Sequence, residues 1–453
     1  KSISIIFLFV FRVSMITPKE VHDVLGRRIL ADGFDMVLDL EKSQGVWIYD
    51  SRYDRKFLDF FGFFATSAVG MNHPKMFEPE FLKKVERAAI NKPTNSDVYT
   101  VEMAEFVDTL SRLATPSYMK YFFFIDGGAL AVENALKTAF DWKVKKNFKK
   151  GYKEERGYKV IHLREAFHGR SGYTLSLTNT FDPRKTQYFP KFNWPRITNP
   201  KITFPLNKEN LKKVEELEKK SIEEMENAIR DNPDEIAAFI MEPIQGEGGD
   251  NHFRKEYFKE VERITKKNDI MFIVDEVQSG MGITGKWWAH EHFDVKPDII
   301  AFGKKSQVCG IMVGPKVDEI EDNVFKVSSR INSTWGGNLA DMVKSQKILE
   351  IIHEERLLEN AEKTGNYFVK GLLELESKMP DKIFNVRGRG LMDAFDLANT
   401  SIRDKMFDEM YKNGLLMLKT GEKGIRFRPP LIVGTDEVNK ALEIIEKSIK
   451  NIS

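Results

Sequence analysis

The chain has a single cysteine, Cys309, in 453 residues. That excludes an intramolecular disulfide framework and fits a reducing compartment, so a cytoplasmic location is expected. With no His nearby in sequence, Cys309 reads as a small packing residue rather than a nucleophile. An excess of one charge is also missing. Against 70 basic residues stand 68 acidic ones, a net charge of +2, which leaves no electrostatic case for a nucleic-acid partner. The basic run Lys143–Lys150 reads as a solvated helix face. Nothing is apolar for long enough to span a membrane. The run Ser2–Val13 imitates a signal-peptide core but is too short to cross, and no small-residue cleavage site follows it. Residues 1–14 are expected to be an upstream extension of the reading frame, with a weak targeting segment as the alternative. No strand-like run leads into GxGxxG with an acidic residue downstream, which disfavours a nicotinamide dehydrogenase. The eight histidines show no metal spacing. His290 and His292 would share a strand face but lack a third ligand and an HExxH pattern, so no metal is expected. Repeats and low-complexity linkers are absent, which implies one compact protomer of about two domains.

What is present is an alternation of elements. Apolar runs of strand length occur at Tyr121–Ile125, Tyr158–Leu163, Ile236–Met241, Ile270–Val274 and Asp298–Phe302, separated by segments of helical period. This predicts an α/β fold with a mainly parallel sheet and helices on both faces. Leu211–Ile229, rich in Glu and Lys with apolar residues at helical spacing, predicts an exposed amphipathic helix. After Gly337 the pattern changes to a long helical stretch, Leu339–Leu375, and a final helix through Val438, Leu442, Ile445 and Ile449.

Several runs deliver polar groups at their C-terminal ends, the edge where open α/β sheets bind ligands. Phe272–Val274 leads into Asp275, Glu276 and Gln278, and Ile299–Phe302 leads into Gly303, Lys304 and Lys305. A carboxylate and an amine meeting there suggest pyridoxal phosphate, the carboxylate holding the pyridine nitrogen protonated and the amine anchoring the cofactor as a Schiff base. Lys304 and Lys305 are adjacent and must point in different directions, so only one enters the site; Lys305 is expected to be a surface neighbour. Asp126-Gly127-Gly128-Ala129 follows a strand and opens a helix, so the N–H groups of Gly128 and Ala129 form a phosphate cradle. Phe167, after Val160–Leu163, offers a flat ring for stacking.

These runs, together with Glu242–Gly249, Ser333-Thr334 and Arg426–Pro430, resemble in order and spacing the class III (ω-amino-acid) aminotransferases of pyridoxal-phosphate fold type I, from about Ile16 to the C-terminus. The resemblance implies that Lys304, following the strand by a small residue, carries the cofactor. It implies that Asp275 pairs with the ring nitrogen, Gln278 bonds the phenolic oxygen, Phe167 stacks, and Gly128 and Ala129 hold the phosphate. Glu276 is left to structure. A large domain at 66–344 and a discontinuous smaller α+β domain at 15–65 and 345–453 are further implications. So is a homodimer with shared active sites, Ser333 and Thr334 reaching the partner's phosphate.

Departures from the general family pattern narrow the substrate. At the phosphate loop, where most members carry Ser-Gly-Thr/Ser-Glu-Ala, this chain has Asp126–Asn134, and Lys304–Gly310 and Ile331–Asn338 are also variant. They are similar to the branch that acts on the ε-amine of L-lysine. The implied reaction passes that amine to 2-oxoglutarate, giving glutamate and 2-aminoadipate 6-semialdehyde, with Arg170, Glu247, Arg426 and Asn332 binding substrate. Arg170 would hold a distal carboxylate. Glu247 would mask Arg426 while lysine is bound and swing away for the keto acid. Ornithine, GABA or another ω-amine donor, an aminomutase, or a non-catalytic pyridoxal-phosphate-fold binding protein are the alternatives.

Overall fold

The computed structural model describes residues 16–452; the expected extension at 1–14 and Met15 lie outside the described residues. Seven strands form the large sheet in the spatial order Tyr121–Ile125, Cys309–Val313, Ile299–Phe302, Met271–Asp275, Ile236–Met241, Lys159–Leu163 and Arg196–Ile197. The five expected strands are there, displaced by one residue at most. Neighbours pair in parallel except Cys309–Val313, which is antiparallel to both of its neighbours and was not expected.

The central strands are buried on both sides, which is why they read as continuous apolar runs. Their side chains alternate between two cores. Phe239, Met241, Phe272 and Val274 enter one, and Ala238, Ile240, Met271 and Ile273 the other. Helix Gly128–Lys149 covers the second face with Val132, Ala135, Leu136 and Ala139. Three residues of its basic run depart from the expected solvated face, Lys143, Val144 and Asn147 being buried; Lys143 Nζ donates to the Asp269 carbonyl at 2.8 Å, and burial pulls its pKa down to about 8. Lys149 and Lys150 are exposed as expected. Helix Lys208–Asp231 buries little beyond Val214, Ser221 and Met225, matching the amphipathic reading.

The expected single stretch Leu339–Leu375 is two helices, Leu339–Glu354 and Leu357–Lys378, separated at Arg356, whose φ is 53°. No Gly or Pro lies between residues 339 and 357, so sequence gave no break signal. The turn lets Ile351, Ile352 and Leu357 enter one common core. Helix Leu339–Glu354 also sends Met342, Val343 and Leu349 to the large-sheet core, so the expected boundary at 344/345 falls within a helix that serves both. Near the N-terminus, Leu38–Gln44, Trp47–Asp50 and Arg55–Asp59 form an antiparallel meander, and Leu415–Leu416 adds to it in parallel with Arg55–Asp59. A second four-stranded sheet orders Phe384–Arg389, Met392–Asp396, Gly424–Phe427 and Leu418–Thr420.

One edge of the large sheet gathers the chemistry. The parallel strands end there at Ile125, Leu163, Met241, Asp275 and Phe302. Because Cys309–Val313 runs the opposite way, it begins at that edge and brings Cys309 with it.

Candidate active site

A cavity of about 510 Å³ opens at this edge. Lys304 reaches it from a turn in which Gly303 is extended and Lys304 itself has a left-handed φ of 55°. That conformation is rare for a residue with a long side chain and is typical of positions where function overrides local comfort. Burial pulls the Lys304 amine down to about 8; the guanidinium groups of Arg426 and Arg428 add to this and Asp275 opposes it. The amine therefore gives up its proton readily near neutral pH.

Lys305 overturns its expectation. It does point away from Lys304, but into the protein: it is buried, and its Nζ donates to the Ala65 carbonyl at 2.6 Å. Burial, with Arg428 and Lys304 nearby, drives its pKa well down. The receiving turn is unusual, since Gly62, Phe63, Phe64 and Ala65 all have positive φ. At Gly62 a Cβ would also sit 2.1 Å from the Arg428 carbonyl oxygen. The turn is tied from below by buried Asp59, whose Oδ1 accepts from the N–H groups of Phe61 and Gly62 at 3.0 and 2.7 Å. It places Phe64 in the cavity wall.

Asp275 lines the cavity and is nearly buried; its Oδ1 accepts from the Val277 N–H at 3.0 Å. His168, also buried, has Nδ1 2.8 Å from Asp275 Oδ2, where the ring N–H donates to the carboxylate. Glu242 completes the cluster, accepting from the N–H groups of Phe167 and Gly246 at 2.9 and 3.1 Å. Burial raises its pKa to about 7; Asp275 adds to the shift and His168 opposes it. Neither His168 nor Glu242 had been given a role, although His168 directly follows Phe167 and Glu242 opens the run Glu242–Gly249. Glu276 serves structure as expected, accepting from Ser279 Oγ, Ala289 N–H and His290 N–H. His290 and His292 lie on a 3-10 turn, and no group of three or more candidate ligands is placed for a metal among the described residues.

Phe167, Arg170, Glu247, Gln278 and Arg426 all line the cavity. The Arg170 guanidinium lies 5.8 Å from the Phe167 ring centroid. Gln278 Oε1 accepts from Arg428 Nε and Nη2, both at 3.1 Å, and from Arg426 Nη1 at 3.3 Å, so its NH₂ is the polar group left for a ligand. Arg426 Nη2 donates to Glu247 Oε2 at 2.8 Å. The other oxygen of Glu247 is taken by Lys185, a residue sequence reasoning missed. Burial alone would raise the Glu247 pKa, but Arg426 and Lys185 together hold it below its ordinary value.

The N-terminus of the 22-residue helix Gly128–Lys149 carries no side-chain cap, and Gly128 and Ala129 border the cavity. A Cβ on Gly128 would meet Val277 at 2.8 Å, so bare backbone closes the wall there. Free N–H groups at the positive end of a long helix suit a phosphate. A flat ring at Phe167, a buried carboxylate at Asp275, an amide at Gln278 and a readily deprotonated amine at Lys304 fit the rest of pyridoxal phosphate. Cys309 packs with Ile125 and Ala131 beside them, as its packing reading required. Asn332, Ser333 and Thr334 are not among the cavity's lining. They form a local turn in which Ser333 N–H donates to Asn332 Oδ1 at 2.8 Å and Gly336 N–H donates to Ser333 Oγ at 3.1 Å.

Comparison with known proteins agrees with this chemistry. The family description "Aminotransferase class-III" matches residues 30–449. The L-lysine-epsilon aminotransferase of Mycobacterium tuberculosis (strain ATCC 25618 / H37Rv) is 48% identical over 434 residues, which is 96% of each chain. The L-lysine-epsilon aminotransferase of Streptomyces clavuligerus is 45% identical over 443 residues, covering 97% of this chain and 96% of its own. A solved structure described as lysine aminotransferase from M. tuberculosis in the internal aldimine form superposes with a TM-score of 0.94 at 48% identity, covering 97% of this chain and all of that one. Among the described residues no helix is long and apolar enough to cross a membrane. With near full-length matches and a cavity whose groups suit the cofactor, the chain belongs to the class III aminotransferases, pyridoxal-phosphate-dependent transferases of fold type I.

Proposed function

We propose that the chain is an L-lysine 6-aminotransferase that moves the ε-amino group of L-lysine to 2-oxoglutarate, with glutamate and 2-aminoadipate 6-semialdehyde as products. The observation that carries this reading is the Glu247–Arg426 pair, 2.8 Å long, in the wall of the cavity that holds Lys304 and Asp275. A keto acid has a carboxylate beside its reacting carbon and needs a cation there. Lysine presents only methylenes at that place, and an unmasked Arg426 facing them would be a buried charge without a partner. Glu247 masks Arg426 for the amine and releases it for the keto acid.

Pyridoxal phosphate, when bound, supplies the electron sink that lets the C–H bond beside the amine break. Gly128 and Ala129 would hold its phosphate, Phe167 would stack on the ring, and Gln278 would donate to its phenolic oxygen. The Asp275 carboxylate would keep a proton on the pyridine nitrogen, steadied by His168 Nδ1. Lys304 would anchor the cofactor and, once freed by the amine substrate, carry the proton through Nζ. Arg170 would hold the α-carboxylate of lysine, so that only the far amine reaches the cofactor.

The same reading extends to the assembly. Ser333, Thr334 and Asn332 do not line this chain's own cavity, and Trp335 next to them is exposed, as are Val98, Tyr99 and Val101. Asn95 N–H donates to the Trp335 carbonyl, which ties this loop to the segment that carries Val98, Tyr99 and Val101. This supports a homodimer in which the loop serves the partner's phosphate and Asn332 the partner's substrate. Helix Leu339–Glu354 would join the smaller domain, expected at 15–65 and 345–453, to the larger one, expected at 66–344, and the one free thiol suits the cytoplasm.

Lysine labelled with heavy nitrogen at the ε position tests the reaction. Label should appear in glutamate; transfer from the α position instead would sink the proposed regiochemistry.

A further inference from the structure

Glu247 uses each carboxylate oxygen for a different cation: Oε2 for Arg426 and Oε1 for Lys185. Lys185 comes from the 3-10 turn Pro183–Lys185, far in sequence from either partner. A second cavity of about 420 Å³ lies on the other side of this pair and is lined by Lys185, Glu247, Arg403, Lys419 and Thr420. Lys185 and Glu247 thus form the wall between that space and the active site.

We propose that Lys185 is a positioning residue that keeps Glu247 charge-compensated when Arg426 is given over to a substrate carboxylate, and that it thereby sets the preference for a dicarboxylic keto acid as amino acceptor. The inference rests on the masking role of Glu247 proposed above. A largely buried carboxylate that left Arg426 with no second cation would be stranded, and that penalty would keep the pair closed against the keto acid. Because the two oxygens are engaged separately, the Arg426 contact can open while the Lys185 contact holds. The cavity behind the pair offers room for the carboxylate to withdraw; the Arg403 and Lys419 on its wall are both paired with Asp404, so Lys185 is the cation left to accompany Glu247. Lysine, which leaves the Glu247–Arg426 pair closed, needs nothing from Lys185.

The test uses the holoenzyme with Lys185→Met and Lys185→Arg, each half-reaction followed by single-turnover absorbance, together with equilibrium binding of glutarate, a dicarboxylate with no reacting carbonyl. Lys185→Met should lower the efficiency of the 2-oxoglutarate half-reaction and weaken glutarate by about tenfold, with the lysine half-reaction within about twofold and Lys185→Arg restoring most of the loss. In a Glu247→Ala background, where Arg426 is always free, the tenfold effect should vanish. Equal slowing of both halves by Lys185→Met, or an effect that persists without Glu247, would overturn the role of Lys185. Glu247→Ala alone separates this from the underlying reading: it should slow the lysine half more than the keto-acid half, and equal slowing there would remove the masking role itself.

Discussion

Two turns meet near the cavity, and both use left-handed backbone for different ends. At Gly303–Gln307 the strain is confined to two separated residues: Lys304 and Gln307 have positive φ, Lys304 beside an extended glycine, and the Lys304 side chain enters the cavity. At Gly62–Ala65 it is distributed, with three non-glycine residues in a row at positive φ, at a cost of roughly 1–2 kcal/mol each. The first turn follows directly from the end of an apolar strand. The second persists because Asp59 grips its N–H groups and Lys305 its carbonyl. Adjacent lysines thus split the work: Lys304 offers a reactive amine and Lys305 supports the wall across from it.

Separating the two lysines by mutation should break the comparison most sharply. Lys304→Ala is expected to cut turnover by roughly a thousandfold or more while leaving the urea midpoint nearly unchanged. Borohydride reduction of the native holoenzyme, followed by peptide mapping, should find the pyridoxyl mass on Lys304; finding it on Lys305 would reverse the assignment. Lys305→Met should do the opposite, lowering stability by about 1–3 kcal/mol because the Ala65 carbonyl loses its buried donor. An unchanged urea midpoint would mean that the second turn holds itself.

The smallest effect concerns Asp59, whose pKa is raised from 3.8 to about 6 by burial, against the two N–H groups that favour the ionised form. A raised folded pKa means that the native state binds the proton more tightly, so the contribution to stability is present below the unfolded value and is lost as pH rises through about 6. Asparagine keeps an acceptor for Phe61 and Gly62 without a charge to bury. Asp59→Asn should therefore be more stable than the native protein by about 1 kcal/mol at pH 8 and lose that advantage by pH 5. Urea titrations at the two pH values decide it, and an equal difference at both would show that the carboxyl does not titrate in the folded state.

Legibility followed the range of the interactions. Phe272–Val274 and Ile299–Phe302 could be read as strands because both faces are buried, and their polar ends had to emerge at one edge of a parallel sheet. Nine of the twelve residues expected at the site line one cavity: Gly128, Ala129, Phe167, Arg170, Glu247, Asp275, Gln278, Lys304 and Arg426. The break at Arg356 was hidden because no Gly or Pro marks it, and the antiparallel strand Cys309–Val313 because it follows a lysine turn that carried the chemistry.

The sequence by itself determined which groups would gather at the strand ends, since strand period and length place each terminal residue at a sheet edge whatever lies around it. Only the tertiary structure decided the second layer: that Lys305 is buried beneath Ala65, that His168 holds Asp275, and that Lys185 shares Glu247 with Arg426. Such pairings join segments tens to hundreds of residues apart, and a charged side chain's partner is settled by where the packed chain leaves it without water, which no local pattern encodes.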